Sequence, residues 1–214
     1  QWLPLLAEHG PVPIEMVPSG PKVAGIAARY ADRISFAIGR NPDYIRHFVH
    51  DTRQQIEAAG RDPAAVKLGA WVNVVLNDDR QTALNAVRGT TGIWARFSLM
   101  RPDRSSLPEP LKEALGLLSG YEMESFGQGE AVSEADMPDA FVDWFSIAGD
   151  TEHVFERLSQ LLDLGLDYLC LVPGQLGFQD QVGSASIARV AREILPRLRG
   201  INGSKDQQAL SAMR

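Results

Sequence analysis

The chain reads as an α/β protein built on a parallel sheet. Three observations predict this. Short apolar runs alternate with amphipathic helical stretches. The links between them carry helix-start residues, which implies right-handed strand–helix–strand crossovers. The runs are also apolar along most of their length, as strands are when both faces are covered.

The elements follow in order. Pro13 to Pro18 predicts a short strand, and Pro21 to Ala31 a helix with Val23, Ile26, Ala27 and Tyr30 at helical spacing. Pro21 suits a first helical turn, where its missing N–H costs nothing. Arg33 to Ile38 predicts the second strand. Asn41 then supplies an N-cap and Pro42 a first helical position, for a helix running to about Ala59 and stopped at Gly60. Val66 to Leu76 contains the third strand. Asp78 is the expected cap of a helix from about Asp79 to Arg88. Asp150 or Thr151 caps a helix to Leu164, Gly165 ends it, and Leu166 to Val172 is the fourth strand. A minor strand is expected at Phe145 to Ile147, and a last helix over Ser184 to Leu198.

Two segments break the rhythm. Gly89 to Asp143, with four prolines, reads as an insertion of helical pieces, one near Leu111 to Leu118. The tail from 201 to 214 is polar and small, and disorder is expected there. One folded unit therefore spans about 1–200.

Composition narrows the function classes. Of 214 residues, 44% are hydrophobic and 22% charged, the balance of a soluble globular chain. No apolar run is long enough for a membrane span. The net charge of −6 with scattered Lys and Arg argues against a nucleic-acid partner. The single cysteine, Cys170, forms no internal disulfide; a reducing cytoplasm fits, and Cys170 reads as filler in a buried strand. The start at Gln1 without a Met suggests a chain that begins within a longer protein.

Ligands of parallel α/β folds sit at the carboxyl ends of the strands. The first such loop is Pro18-Ser19-Gly20-Pro21-Lys22. It offers backbone access at Gly20 and a helix N-terminus suited to phosphate; a plain tight turn is the other reading. In the second, Arg40 stands before a helix start. It is placed either to clamp an anionic substrate or to lie solvated on the surface. Asp78 and Asp79 are explained by capping, and Pro173-Gly174-Gln175 offers backbone only. His47, His50 and Asp51 share a helix face but lack the zinc-protease glutamate spacing, so no metal is expected. Trp71 and Trp94 read as core packing rather than as faces for a flat cofactor. No GxxxxGK[ST], GxSxG or GxGxxG occurs, which tells against a Rossmann-like nucleotide binder.

Taken in succession, Val12 to Lys22, Ala28 to Arg33, Gly39 to Pro42, Ile147 to Thr151, Leu164 to Tyr168 and Glu193 to Leu198 resemble the luciferase-like monooxygenase superfamily. The coenzyme F420-dependent, methylenetetrahydromethanopterin reductase-like members are the most similar. The resemblance implies the C-terminal half of a (β/α)8 TIM barrel, its strands β5 to β8, with the insertion before the last units. It implies an oxidoreductase that transfers hydride between F420 and a small organic substrate; an FMN-dependent monooxygenase is the alternative. Cofactor binding then falls to Ser19, Gly20 and Pro21, with Pro18 and Lys22, and substrate binding to Arg40. The chain departs from the family at Val17-Pro18, where small residues are common, and at Arg33, where Gly is. Nothing corresponds to strands β1 to β4, so no catalytic residue is assigned. A homo-oligomer, or association with the missing N-terminal half, is the expected assembly. A non-catalytic half-barrel binding module is the reading from outside enzymology.

Overall fold

The computed structural model describes residues 10–18, 20–99, 137–174 and 181–201, together with Glu109 and Lys112. Its elements in chain order are β1 (Glu15–Met16), α1 (Pro21–Tyr30), β2 (Arg33–Phe36), α2 (Pro42–Ala58), a 3₁₀ turn (Pro63–Ala65) and β3 (Lys67–Leu76). There follow α3 (Arg80–Leu99), α4 (Asp139–Phe145), β4 (Ile147–Gly149), α5 (Thr151–Leu162), β5 (Tyr168–Val172) and α6 (Gln181–Arg189), with a π-helical turn at Val190–Ile194.

All strand pairings are parallel, as the crossovers required. β1 pairs with β2, β2 with β3, and β3 with both β4 and β5. β3 is the spine. Lys67 N–H donates to Asp32 O and Asn77 N–H to Gly149 O, so β2 and β4 follow one another along the same edge of β3. On the opposite edge Asp167 N–H donates to Leu68 O, and β5 pairs with Gly69 through Asn73. The four strong strands thus lie side by side in chain order.

The strand faces divide the core in two. Ile34, Phe36, Leu68, Ala70, Val72 and Val74 pack against α1, α2, α5 and the π-helical turn. On the other face, Val75 and Ala148 meet Ala83, Leu84 and Val87 of α3 and Phe141, Val142 and Phe145 of α4. Coverage on both sides explains why β3 reads as a continuous apolar run.

Several boundaries differ from expectation. β1 has two residues instead of six: Pro13 and Pro18 flank it without donors, and it pairs only with the start of β2. Asp79, not Asp78, caps α3 by accepting from Thr82 N–H at 2.7 Å, while Asp78 binds Arg189 at 2.9 Å. α3 continues past Arg88 to Leu99 because Thr90, Thr91 and Ala95 are buried, so packing outweighs the two glycines. The minor strand lies two residues later than expected. The helical piece near Leu111 to Leu118 and the tail from 202 fall outside the described residues, except Lys112.

β5 ends opposite Asn73, which leaves the buried N–H of Leu76 without a strand acceptor. Ser186 of α6 supplies it, its Oγ accepting at 2.8 Å from inside the core. Ser186→Ala is expected to cost about 1–3 kcal/mol, the penalty of a buried orphan donor. A urea-unfolding loss below a few tenths of a kcal/mol would mean that this bond contributes nothing.

Candidate functional site

The strand carboxyl ends gather five loops. The first contains the predicted phosphate cradle. Gly20 has extended backbone at the N-cap of α1, Pro21 opens the helix, and no side chain caps it. Gly20 O accepts from Ala24 N–H at 2.9 Å. A Cβ placed on Gly20 meets nothing within 4 Å, so the approach to this helix end is open. Lys22 is exposed and Pro18 half-buried. Ser19 lies outside the described residues.

Arg40 has a different setting from either expected one. Its Nε donates to Asp143 O at 2.6 Å and Ser146 O at 2.9 Å, and Nη2 stands 3.5 Å from Asp143 Oδ2. Its backbone N–H donates to Phe145 O at 3.0 Å. The side chain is only 11% exposed, so it is no solvated surface arginine. Burial pushes its pKa down, Arg157 adds to this, Asp143 opposes it, and Arg80 again lowers it. The loop takes this course because Gly39 adopts φ +80°, and Asn41 then caps α2 by accepting from Tyr44 N–H at 3.0 Å.

Asp143 is shared. Arg80, at the start of α3, donates to Asp143 Oδ1 at 2.9 Å and to Ala148 O at 3.2 Å. His153 Nε2 stands 4.0 Å from the same carboxylate. An open cleft of about 450 Å³ lies beside this cluster, lined by Asp79, Arg80, Gln81, Leu84, Asp139, Ala140 and Asp143. Nothing local in the sequence joins Arg40 to Asp143 or His153; the parallel order of the strands does.

A second polar group escaped the sequence reading. Ser35, Tyr168 and Cys170 face away from the larger core, because their neighbours Ile34, Phe36, Leu169 and Leu171 face into it. Ser35 Oγ donates to Glu15 Oε1, Tyr168 OH donates to the same oxygen at 3.0 Å, and the two hydroxyls are 2.7 Å apart. The Tyr168 pKa is pushed up to about 12 by burial, with Glu15 acting in the same direction. Cys170 is half-buried, and burial followed by the Glu15 charge raises its pKa. The signal in the sequence was a Glu and a Ser interrupting apolar strands.

The Tyr168 ring covers Gly69, where a Cβ would fall 2.3 Å from ring carbon Cε2. Gly69→Ala is expected to expel the ring and cost about 1–3 kcal/mol. Combined with Tyr168→Ala, most of that loss should disappear. Additive losses in the double-mutant cycle would show that the collision is not the cause.

The remaining sequence candidates have plain roles. His47 pairs with Asp51 at 3.2 Å and His50 with Gln54 at 3.0 Å, all on the α2 surface. Among the described residues, no three His, Cys, Asp or Glu side chains converge as metal ligands. Trp71 and Trp94 pack with ring centroids 5.4 Å apart. Among the described residues no helix is long and apolar enough to cross a membrane.

The Arg40–Asp143 cluster and the open α1 N-terminus lie at the strand carboxyl ends, where parallel α/β folds bind ligands, whereas Glu15 and Tyr168 stand at the starts of β1 and β5. The luciferase-like monooxygenase family model matches residues 2–168, and the chain belongs to that family. It is 27% identical over 197 residues to a 5,10-methylenetetrahydromethanopterin reductase of Archaeoglobus fulgidus, covering 89% of this chain and 55% of the relative. The solved coenzyme F420-dependent tetrahydromethanopterin reductase from Methanopyrus kandleri matches with a TM-score of 0.60 and 22% identity, over 87% of this chain and 51% of that one. A riboflavin lyase solved with modified FMN matches with a TM-score of 0.54 and 18% identity, over 90% and 44%. The chain thus spans about half the length of these proteins.

Proposed function

We propose that this chain is the C-terminal half of a (β/α)8 barrel oxidoreductase that uses coenzyme F420. β1, β2, β3 and β5 would be the fifth to eighth barrel strands. The carrying observation is their parallel pairing in chain order, together with the family match and the half-length overlap. The edge of the half carries exposed Val12, Ile14 and Val17 flanking β1, and Ile26 and Tyr30 on α1. Such an apolar margin suits the missing N-terminal half, or a second copy, as its cover.

The residues at the first loop fit a phosphate-bearing cofactor. The open space at Gly20 admits a ligand to the backbone, and the α1 N-terminus favours its negative charge. Gly20, Pro21 and Ser19 would hold the phosphate region, with Pro18 shaping the loop and Lys22 adding charge. When bound, F420 supplies the two-electron hydride chemistry, and the protein supplies position and electrostatics. Arg40 stands at the same end of the sheet; a substrate anion would reach it by taking the place of Asp143. The match to a riboflavin lyase solved with modified FMN supports FMN as the second reading. A reducing cytoplasm suits either.

The test is a fluorescence titration of the chain, alone and with its upstream half, with F420 and with FMN. Gly20→Trp meets no neighbour at its Cβ, so it blocks the loop while leaving the sheet intact. F420 binding lost in that variant supports the deazaflavin enzyme. Preference for FMN moves the reading to a flavin enzyme. Binding of neither by the completed barrel would sink both and leave a non-catalytic module.

A further inference from the structure

Asp143 is surrounded by more positive charge than one carboxylate balances. Arg80 bonds it at 2.9 Å, Arg40 approaches it at 3.5 Å, and His153 stands at 4.0 Å. Arg157 follows His153 by one turn of α5, on the same helix face. Its charge acts on both Arg40 and His153, lowering the pKa of each. The charged groups that act on His153 are Arg80, Arg157, Asp143 and Arg40: three cations and one anion.

The nearby acids are committed elsewhere. Asp79 caps α3, Asp139 binds Arg88, and Asp150 caps α5 by accepting from His153 N–H at 2.9 Å. Two groups have no hydrogen-bond partner among the described residues. Arg157 is half-buried and has neither a hydrogen bond nor an ion pair among the described residues. His153 Nε2 is buried without a hydrogen-bond partner. Guanidinium groups crowded around one carboxylate repel, and an unpaired buried polar atom costs stability. The cluster is therefore complementary to an anion. Gly149 brings the α5 N-terminus to the same place: a Cβ there would lie 3.2 Å from His153 and 3.5 Å from Arg80 Nη1. An open cleft lined by Arg80 and Asp143, together with Asp79 and Asp139, adjoins the cluster on the Arg80 side.

We infer that Arg80, His153 and Arg157, beside the Arg40–Asp143 pair, form a binding site for a phosphate group, separate from the α1 loop. Arg80 and Arg157 would contribute charge-assisted donors, and His153 its Nε2. A dianion suits a cluster of three arginines and one carboxylate better than a monoanion does. The phosphate is either free inorganic phosphate or the headgroup of a phosphorylated substrate; the recognition chemistry is shared. This inference does not rest on the cofactor reading, since the site contains none of the residues from Pro18 to Lys22.

The experiment is a thermal-denaturation titration of the 214-residue chain without cofactor, at constant ionic strength set with sodium chloride. Inorganic phosphate and phenyl phosphate are the two probes. The expected result is a saturable rise in Tm, with Arg157→Gln weakening the apparent affinity roughly tenfold, the scale of one charge-assisted hydrogen bond. Without phosphate, Arg157→Gln should melt at the same temperature as the parent or higher, because it removes repulsion. Protection by both probes marks a site for free phosphate, and protection by phenyl phosphate alone marks a substrate headgroup. No saturable rise with either, or the same rise in Arg157→Gln, overturns the inference whatever F420 and FMN do.

Discussion

Gly39→Ala is expected to destabilise the fold by about 2–4 kcal/mol. Two costs combine. Gly39 has φ +80°, a conformation in which a side chain crowds its own backbone. Its new Cβ would also lie 2.8 Å from Phe145 Cδ2. Phe145 is 2% exposed and packed within the smaller core, so the ring has nowhere to move. The loop would shift instead, and with it the bonds of Arg40 to Phe145, Asp143 and Ser146. Gly60 is the natural control: its φ is +76°, but a Cβ there meets nothing within 4 Å. Gly60→Ala should lose only the backbone part, about 1 kcal/mol. Urea unfolding of the two variants separates the costs. Equal losses would mean that contact with Phe145 is immaterial.

Gly174→Ala is the second large effect, again about 2–4 kcal/mol, and it arises from collision alone. Just beyond β5 the chain passes so close to α3 that a Cβ would sit 2.5 Å from Ala86 O and 2.9 Å from Val75 Cγ2. A helix carbonyl cannot rotate aside as a side chain can, so the segment must lift from α3. Val75→Ala in the same background should fail to restore stability, because the backbone contact remains. Recovery of most of the loss in that double variant would show that Val75, not the helix backbone, sets the limit. In the sequence this loop offers backbone only, and its glycine is needed for packing.

The parallel α/β character was legible because it rests on local patterns. Apolar runs at strand length, Asn41 before Pro42, and Asp150 before Thr151 each act within a few residues, and each cap is present. Ends were read less well where distant packing decides them. α3 passes two glycines because Thr90, Thr91 and Ala95 are buried, and β1 shrinks because only the start of β2 borders it. The family was legible for the same local reason: its loops are short stretches beside strand ends, and their order survives in the chain.

The clusters were not legible. Glu15, Ser35 and Tyr168 are spread over 153 residues, and Arg40 and Asp143 are separated by 103. Each taken alone is an ordinary polar residue. The sequence by itself determined the alternation of strands and helices, the caps at Asn41 and Asp150 and the family, because hydrophobic period and capping are properties of neighbouring residues. Only the tertiary structure decided that Arg40 is bound to Asp143, that Tyr168 covers Gly69, and that Arg80 and His153 stand against that same Asp143 carboxylate. Those contacts depend on strand order and register, which bring together side chains that no local pattern connects.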